Sequence, residues 1–236
     1  MSKGKLYLIP APLGDGNPAE VIPAPVLAAA CRLDCFVVEE VRTARRYLSA
    51  AGLKGHIDTL EFHTLNEHTT AAEVRALLPL FENGRDVGYL SEAGLPAVAD
   101  PGAALVALCH EAGITVIPLS GPSSLMLALM GSGLDGQSFA FRGYLPVKEG
   151  ERARAVRELE KQSAALHQTQ IFIETPYRND TLFADLLKGL SPTVRLCIAA
   201  DLTLPTQTLL TRTVARWRQS GFVIGKRPCV FLLLAR

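Results

Sequence analysis

Val87-Gly88-Tyr89-Leu90-Ser91-Glu92-Ala93-Gly94-Leu95-Pro96-Ala97-Val98-Ala99-Asp100-Pro101-Gly102 is a short apolar run that stops at small and turn-forming residues. Val87 to Leu90 has the length and side chains of a buried strand. Gly94, Pro96, Asp100, Pro101 and Gly102 then punctuate the path before an alanine-rich helix begins. A long loop rich in Gly and Pro, set at the carboxyl end of a buried strand, is where open α/β sheets take small ligands. Gly94 can adopt backbone angles closed to other residues and lets a ligand approach the main chain. The stretch from Ile114 to Ser124 repeats the device, and two such loops imply a nucleotide-sized pocket.

Outward from this stretch, strands alternate with helices. Strands are predicted at Lys5–Pro10, Cys35–Glu39, Asp86–Leu90 and Thr115–Leu119. Helices are predicted at Val26–Arg32, Val41–Ala51 (closed by Gly52), Ala103–Ala112 and Ser123–Met130, and from a Thr69 or Thr70 cap to about Phe81. Ile57 to His63 reads either way. Alternation at this spacing implies an α/β fold with a mostly parallel sheet. The tract Gly131 to Gln137 is the best domain boundary, which gives an N-terminal domain over 1–132 and a C-terminal one over 133–236. The second half has another rhythm: strand Ser138–Tyr144, helix Gly150–Ala165, strand Ile171–Glu174 and helix Arg178–Lys188. Strand-like runs at Val194–Ala199, Thr206–Thr211, Thr213–Trp217 (the weakest) and Pro228–Ala235 close the chain and imply a mixed sheet. The expected architecture is two α/β domains with a cleft between them.

The chain has 236 residues, 48% apolar and 20% charged, enough hydrophobic material for a packed core and against disorder. No apolar run reaches the roughly 18 residues that span a bilayer, and the start lacks a signal-peptide pattern, so the expectation is a cytoplasmic protein without membrane association. The five cysteines are odd in number and lie mostly in apolar runs, which points to reduced buried thiols. No second pair completes a zinc site around Cys31 and Cys35, and no metal is expected. A net charge of +1 argues against a strongly steered nucleic-acid binder. Three arginine groups stand out: Arg42, Arg45 and Arg46; Arg152, Arg154 and Arg157; Arg212, Arg216 and Arg218. They read as solvated faces, or, for the first two groups, as the lining of a groove for an anionic substrate.

No Gly-x-Gly-x-x-Gly follows the first strand, and no phosphate loop or Gly-x-Ser-x-Gly elbow is present. What remains is strand-end loops rich in backbone amides and poor in charge, suited to a nucleoside without phosphates.

Six ordered segments resemble the tetrapyrrole (corrin/porphyrin) methylase superfamily, and within it the ribosomal RNA small subunit methyltransferase I branch. Pro10-Ala11-Pro12-Leu13-Gly14-Asp15, after Gly4-Lys5-Leu6-Tyr7, stands where that branch has Thr-Pro-Ile-Gly-Asn. Glu39-Glu40-Val41-Arg42 resembles its Glu-Asp-Thr-Arg, and Ser91 to Pro96 with Asp100-Pro101-Gly102 its Ser-Asp-Ala-Gly-Thr-Pro and Asp-Pro-Gly. Ser120-Gly121-Pro122-Ser123-Ser124 and Phe172-Ile173-Glu174-Thr175-Pro176-Tyr177-Arg178 match its Pro-Gly-Pro-Ser-Ala and Phe-Tyr-Glu-Ser-Pro-His-Arg. The resemblance implies a methyltransferase that binds S-adenosylmethionine in the interdomain cleft, usually as a homodimer. Cofactor contacts would fall on Pro12; on Ser91, Glu92, Ala93, Gly94, Leu95 and Pro96; on Ser120, Gly121, Ser123 and Ser124; and on Glu174, Thr175 and Ala200. If the acceptor is a hydroxyl, a base must take its proton; Glu40 and Glu92 are the candidates, with Arg42 steering the acceptor. The alternative reading of Glu39, Glu40 and Arg42 is charge at a helix start.

The chain departs from that branch at two places. His63-Thr64-Leu65-Asn66-Glu67 replaces His-x-His-Asn-Glu, and Ala200-Asp201-Leu202-Thr203-Leu204 replaces Arg-Glu-Leu-Thr-Lys. The chain also stops at Arg236, without the branch's further C-terminal region. Two cations that could meet a phosphate backbone are absent. The acceptor therefore stays open between small-subunit ribosomal RNA and a small tetrapyrrole-like heterocycle, and a non-catalytic cofactor-binding module is the reading from another class.

Overall fold

Cys35-Phe36-Val37-Val38 and Val87-Gly88-Tyr89-Leu90 are both buried at every position, as strands covered on both faces must be. In the computed structural model, which describes residues 3–236 and leaves Met1 and Ser2 outside, they are the inner strands of a five-stranded parallel sheet. Its strands are β1 (Lys5–Leu8), β2 (Cys35–Val38), β3 (Glu61–Thr64), β4 (Val87–Leu90) and β5 (Thr115–Pro118), in the order β3-β2-β4-β1-β5. Successive residues of β2 serve opposite faces. Cys35 and Val37 join a core with Leu105 and Phe81, while Phe36 and Val38 join another with Tyr47 and Leu48. Helices α1 (Ala24–Ala30), α2 (Val41–Leu48), α3 (Ala71–Arg75) and α4 (Gly102–Glu111) connect the strands. Because every strand runs the same way, the loops after β1, β2, β4 and β5 all leave from one edge, and that edge carries the sequence motifs.

The ambiguous stretch resolves into a short 3-10 turn, Ile57–Thr59, followed by β3. The helix expected to reach Phe81 is shorter. Thr70 caps α3 reciprocally with Glu73, but α3 ends at Arg75 and a 3-10 segment takes over at Leu78–Gly84. Pro79, which has no N–H and disfavours helical angles at its predecessor, accounts for the break.

The chain divides into two compact units, the first ending at Ser123 and the second spanning Ser124–Arg236. The division falls ahead of the tract expected to hold it, because α5 (Ser124–Ser132) packs on strands β8, β9 and β10 of the second unit. That unit holds β6 (Phe139–Tyr144), β7 (Thr169–Glu174), β8 (Arg195–Ala200), β9 (Thr208–Thr213) and β10 (Cys229–Leu234), ordered β6-β7-β10-β8-β9. β6 and β7 are parallel and the remaining pairs antiparallel, so the sheet is mixed as expected. Helices α6 (Glu149–Leu166), α7 (Asn179–Gly189) and α8 (Val214–Arg218) complete it. The weak strand expected at Thr213–Trp217 is instead helix α8. Thr213 caps it by accepting the Arg216 N–H, and Val214 and Trp217, one turn apart, are both buried. Trp217 donates its indole N–H to the Leu196 carbonyl at 2.8 Å and meets the Phe183 ring edge-on at 5.4 Å.

All five cysteines carry free thiols, four of them buried. Among the described residues no helix is long and apolar enough to cross a membrane.

Candidate active site

Gly94 and Ala11 exchange both backbone hydrogen bonds, at 2.9 and 3.1 Å, which stitches the loop after β4 to the loop after β1. Gly94 sits at φ +73°, an angle that L side chains rarely adopt, and a Cβ there would stand 3.2 Å from Leu13 and 3.6 Å from the Pro122 carbonyl oxygen. Gly121 is needed for another reason: its Cβ would fall 2.2 Å from Pro10 Cβ. The three loops after β1, β4 and β5 therefore meet main chain to main chain, with Gly94 at the junction.

Asp100 holds the long loop in shape. Its carboxylate accepts the Tyr89 hydroxyl at 3.0 Å and the N–H groups of Ala97 at 2.8 Å and Gly102 at 2.7 Å. Between those anchors Ala97 and Ala99 take positive φ angles of 63° and 61°. Burial, and then the Asp100 charge, push the Tyr89 hydroxyl far above its usual pKa, so it serves as a hydrogen-bond donor.

A cavity of about 510 Å³ opens beside this junction, within the range of small-ligand sites. Pro12, Leu13, Thr43, Arg46, Glu92 and Ala93 are among its lining residues. Tyr47 underlies it and donates its buried hydroxyl to the Pro10 carbonyl at 3.0 Å. Arg46 lies 3.7 Å from Asp15, both exposed. Arg42, from the expected steering position, is exposed at the start of α2. In the second arginine group Arg152 is buried and donates to Asp185 at 2.7 Å, while Arg154 and Arg157 are exposed.

The two glutamates that end β2 have opposite environments. Glu40 is the N-cap of α2; its two oxygens accept the N–H groups of Arg42 at 2.9 Å and Thr43 at 2.6 Å. Those backbone bonds hold its exposed carboxyl below the usual range. Both oxygens serve the helix as its N-cap. Glu39 is half-buried, and one of its oxygens accepts the Glu92 N–H at 3.2 Å. Burial raises its pKa, and Glu92, Asp100 and Glu67 add to the rise against the lowering effect of that hydrogen bond. Glu39 was not among the expected base candidates. Glu92 is exposed and lines the cavity, with its N–H given to Glu39.

The expected cofactor residues fall into one set in each unit. In the first, Ser91 is buried and donates to the Ala93 carbonyl at 3.3 Å, while Leu95 and Pro96 continue the loop into the Asp100 anchor. Ser120, Gly121 and Ser123 lie on the loop after β5, and Ser124 begins α5 in the second unit. In the second, Cys229 pairs with Glu174 on one side and Ala200 on the other, which places Glu174, Thr175 and Ala200 at one end of the mixed sheet. Glu174 is buried, and it accepts two bonds from Arg178, at 3.0 and 2.6 Å, and the Thr175 N–H at 2.6 Å. Asp201, beside Ala200, is also buried; at φ 51° it accepts from the Thr206 hydroxyl at 2.9 Å.

One group of metal-capable side chains occurs among the described residues: the ligand atoms of Cys35, Glu61 and His63 lie within 4.8 Å of one another. Burial pushes the Cys35 thiol up to about 11, while Glu61 is already held by Arg85 at 2.6 Å and His63 at 2.6 Å. This arrangement is an ion-pair network across β2 and β3.

The family model of the Tetrapyrrole (Corrin/Porphyrin) Methylases matches residues 5–216. The chain belongs to this family. It is 34% identical over 211 residues to a protein named ribosomal RNA small subunit methyltransferase I in Neisseria meningitidis serogroup B, a match that covers 89% of this chain and 68% of the relative. The namesake from Escherichia coli O157:H7 is 30% identical over 208 residues, covering 88% and 68%. Among solved structures, the methyltransferase CobJ superposes with a TM-score of 0.64 at 17% identity, covering 98% of this chain and 94% of that one. Uroporphyrin-III C-methyl transferase from Thermus thermophilus, complexed with S-adenyl homocysteine, gives 0.58 at 19% identity, covering 98% and 97%. The structural likenesses establish the tetrapyrrole methylase fold, and family membership with the curated relatives makes the chain a methyltransferase.

Proposed function

We propose that the protein transfers a methyl group from S-adenosylmethionine to a ribose hydroxyl of small-subunit ribosomal RNA. The observation that carries the reading is the junction at Gly94, where the loops after β1, β4 and β5 meet main chain to main chain, with little side-chain charge, beside a cavity of about 510 Å³. That chemistry suits the adenosine and amino-acid parts of a cofactor that has no phosphate. Gly94 lets the loops approach this closely, since a Cβ there would stand 3.2 Å from Leu13. Pro12, Ser91 to Pro96 and Ser120 to Ser123 of the first unit would hold the cofactor. When bound, S-adenosylmethionine supplies a methyl group already activated by its sulfonium. What this chain must add is positioning, worth up to about 7–11 kcal/mol when near-attack geometry is enforced. The cavity with Arg46, Thr43 and Glu92 on its wall is polar enough for a hydroxyl-bearing acceptor.

The RNA assignment draws on the names of the relatives. The departure at Leu65 bears little on it, because Leu65 is completely buried and a side chain at that position points into the core. Ala200 is likewise fully buried. The loss of the second cation at Leu204 favours a second reading, methylation of a small tetrapyrrole-like heterocycle. The proposal includes a homodimer in the cytoplasm, which equilibrium sedimentation and cell fractionation test. Calorimetry with S-adenosylmethionine and S-adenosylhomocysteine tests the cofactor, and failure of both to bind at millimolar concentration ends the reading. Ribose-methylation mapping of small-subunit RNA from a deletion strain tests the acceptor; an unchanged map removes RNA.

A further inference from the structure

We propose that Glu39 is the group that takes the proton from the acceptor hydroxyl. This rests on the methyl-transfer reading above and adds to it the identity of the base.

Three carboxylates stand near the carboxyl edge of the first sheet at β2 and β4, and their geometry separates them. Glu40 has both oxygens committed to the backbone of α2. Glu92 is exposed, and no hydrogen bond among the described residues fixes its carboxylate. Glu39 alone is both fixed and half-buried. It follows β2 beside the cavity wall rather than on it: one oxygen is pinned by the N–H of Glu92, which lines the cavity. Its other oxygen has no donor among the described residues, and no arginine or lysine pairs with it. A carboxylate held by one backbone bond, with one oxygen left over, is oriented yet still able to accept a proton. The charged and titratable groups that bear on it are Glu92, Asp100 and Glu67, with Tyr89 close enough to respond to it. None is a cation, so nothing nearby neutralises the carboxylate. Burial in that company raises its affinity for a proton.

The step balances without a further reagent. The acceptor O–H bond breaks as its proton passes to the free oxygen of Glu39, and a new O–CH3 bond forms. The bond between the methyl carbon and sulfur breaks with its electron pair left on sulfur. The products are a methyl ether, S-adenosylhomocysteine and a protonated Glu39 that returns its proton to water. A carbon acceptor of the heterocycle kind would place different demands on this position, because no hydroxyl proton has to be held.

The test compares Glu39→Gln, Glu39→Asp and Glu92→Gln in the full chain, with labelled S-adenosylmethionine and small ribosomal subunits from a strain lacking the protein. S-adenosylhomocysteine binding by calorimetry reports on cofactor-site integrity in each variant. The expected result is that Glu39→Gln binds S-adenosylhomocysteine within about twofold of wild type while kcat falls about 10²–10⁴-fold. Its rate should also lose the acid limb of the pH profile, and Glu39→Asp should recover part of the rate. A merely structural role would move cofactor binding or KM and leave the pH profile in place. The assignment is overturned if Glu39→Gln keeps kcat within a few-fold, or if the loss and the altered pH profile belong to Glu92→Gln. Wild type that binds cofactor but methylates no subunit overturns the RNA reading and this inference together, whereas a fully active Glu39→Gln overturns the inference alone.

Discussion

Gly121→Ala tests the convergence of loops on which the site depends. The new Cβ would stand 2.2 Å from Pro10 Cβ and 2.4 Å from its Cγ, where carbon atoms in contact need roughly 3.5–4.0 Å. Something must move by more than an ångström. Pro10 is poorly placed to yield, since its ring fixes φ, its carbonyl accepts the Tyr47 hydroxyl, and its neighbour Ala11 is bonded in both directions to Gly94. The segment Ser120–Pro122 must therefore lift away from the loop after β1. Overpacking of this kind costs about 1–3 kcal/mol, or a fall in Tm of roughly 2–4 °C per kcal/mol for a chain of this size. Affinity for S-adenosylhomocysteine is expected to fall more than about tenfold, equivalent to 1.4 kcal/mol, because the displaced loop carries Ser120, Gly121 and Ser123. Denaturant unfolding and calorimetry read both effects. Gly16→Ala is the stability control: it lies on the same first loop with nothing within 4 Å of its new Cβ, and its stability should stay within about 0.5 kcal/mol of wild type. Unfolding midpoints and affinities that are the same for Gly121→Ala and wild type would show that the loops do not pack as described.

Asp100→Ala removes the acceptor for Tyr89, Ala97 and Gly102; it is expected to cost about 3 kcal/mol in chemical denaturation, counting bonds to a charged group at 1.5–3 kcal/mol each and allowing for their non-additivity. Asp100→Asn, which keeps one carbonyl oxygen, should cost less than half as much. His167 ends α6 at φ 48° and ψ 45°, where glycine is the favoured residue; His167→Gly is expected to raise stability by up to about 1 kcal/mol, and a loss measured by thermal melting would contradict that geometry. Glu39 gives a pH-dependent test. A carboxyl whose folded pKa is raised binds its proton more tightly when folded, so its contribution to stability is present below the ordinary value of 4.5 and is lost as pH rises through the raised value. Glu39→Gln should therefore be more stable than wild type at pH 7, with the gap closing toward pH 4 in paired denaturant titrations.

The parallel sheet was legible because its signal is local. Val87–Leu90 and Cys35–Val38 are uniform apolar runs bounded by turn residues, and uniform burial is what an inner parallel strand requires. The misreadings come from contacts that sequence order hides. Thr213-Val214-Ala215-Arg216-Trp217 alternates polar and apolar loosely enough to pass for a strand, yet Val214 and Trp217 lie one helical turn apart and both reach the core. The segment to Phe81 carries a good start signal at Thr70, but Pro79 governs where the helix can stop.

The close approach of the loops was legible in the sequence, and the difference between Glu39 and Glu40 was not. Gly94, Gly121 and Asp100 announce themselves because only glycine tolerates the close approach and only a short acid caps three donors at once. Glu39 and Glu40 are the same residue type side by side at a strand-to-helix turn, and composition gives no reason to prefer either. The difference is one of direction. The residue that begins α2 finds two unpaired N–H groups ahead of it and is consumed by them, which lowers its pKa and its usefulness as a base. Its predecessor directly follows the strand, turns toward the loop after β4, and meets one N–H and several like charges. A carboxylate in that position destabilises the folded chain at neutral pH. Residues of that sort persist where their chemistry is needed, so a gain in stability in Glu39→Gln together with a loss of turnover would be hard to account for by a purely structural role.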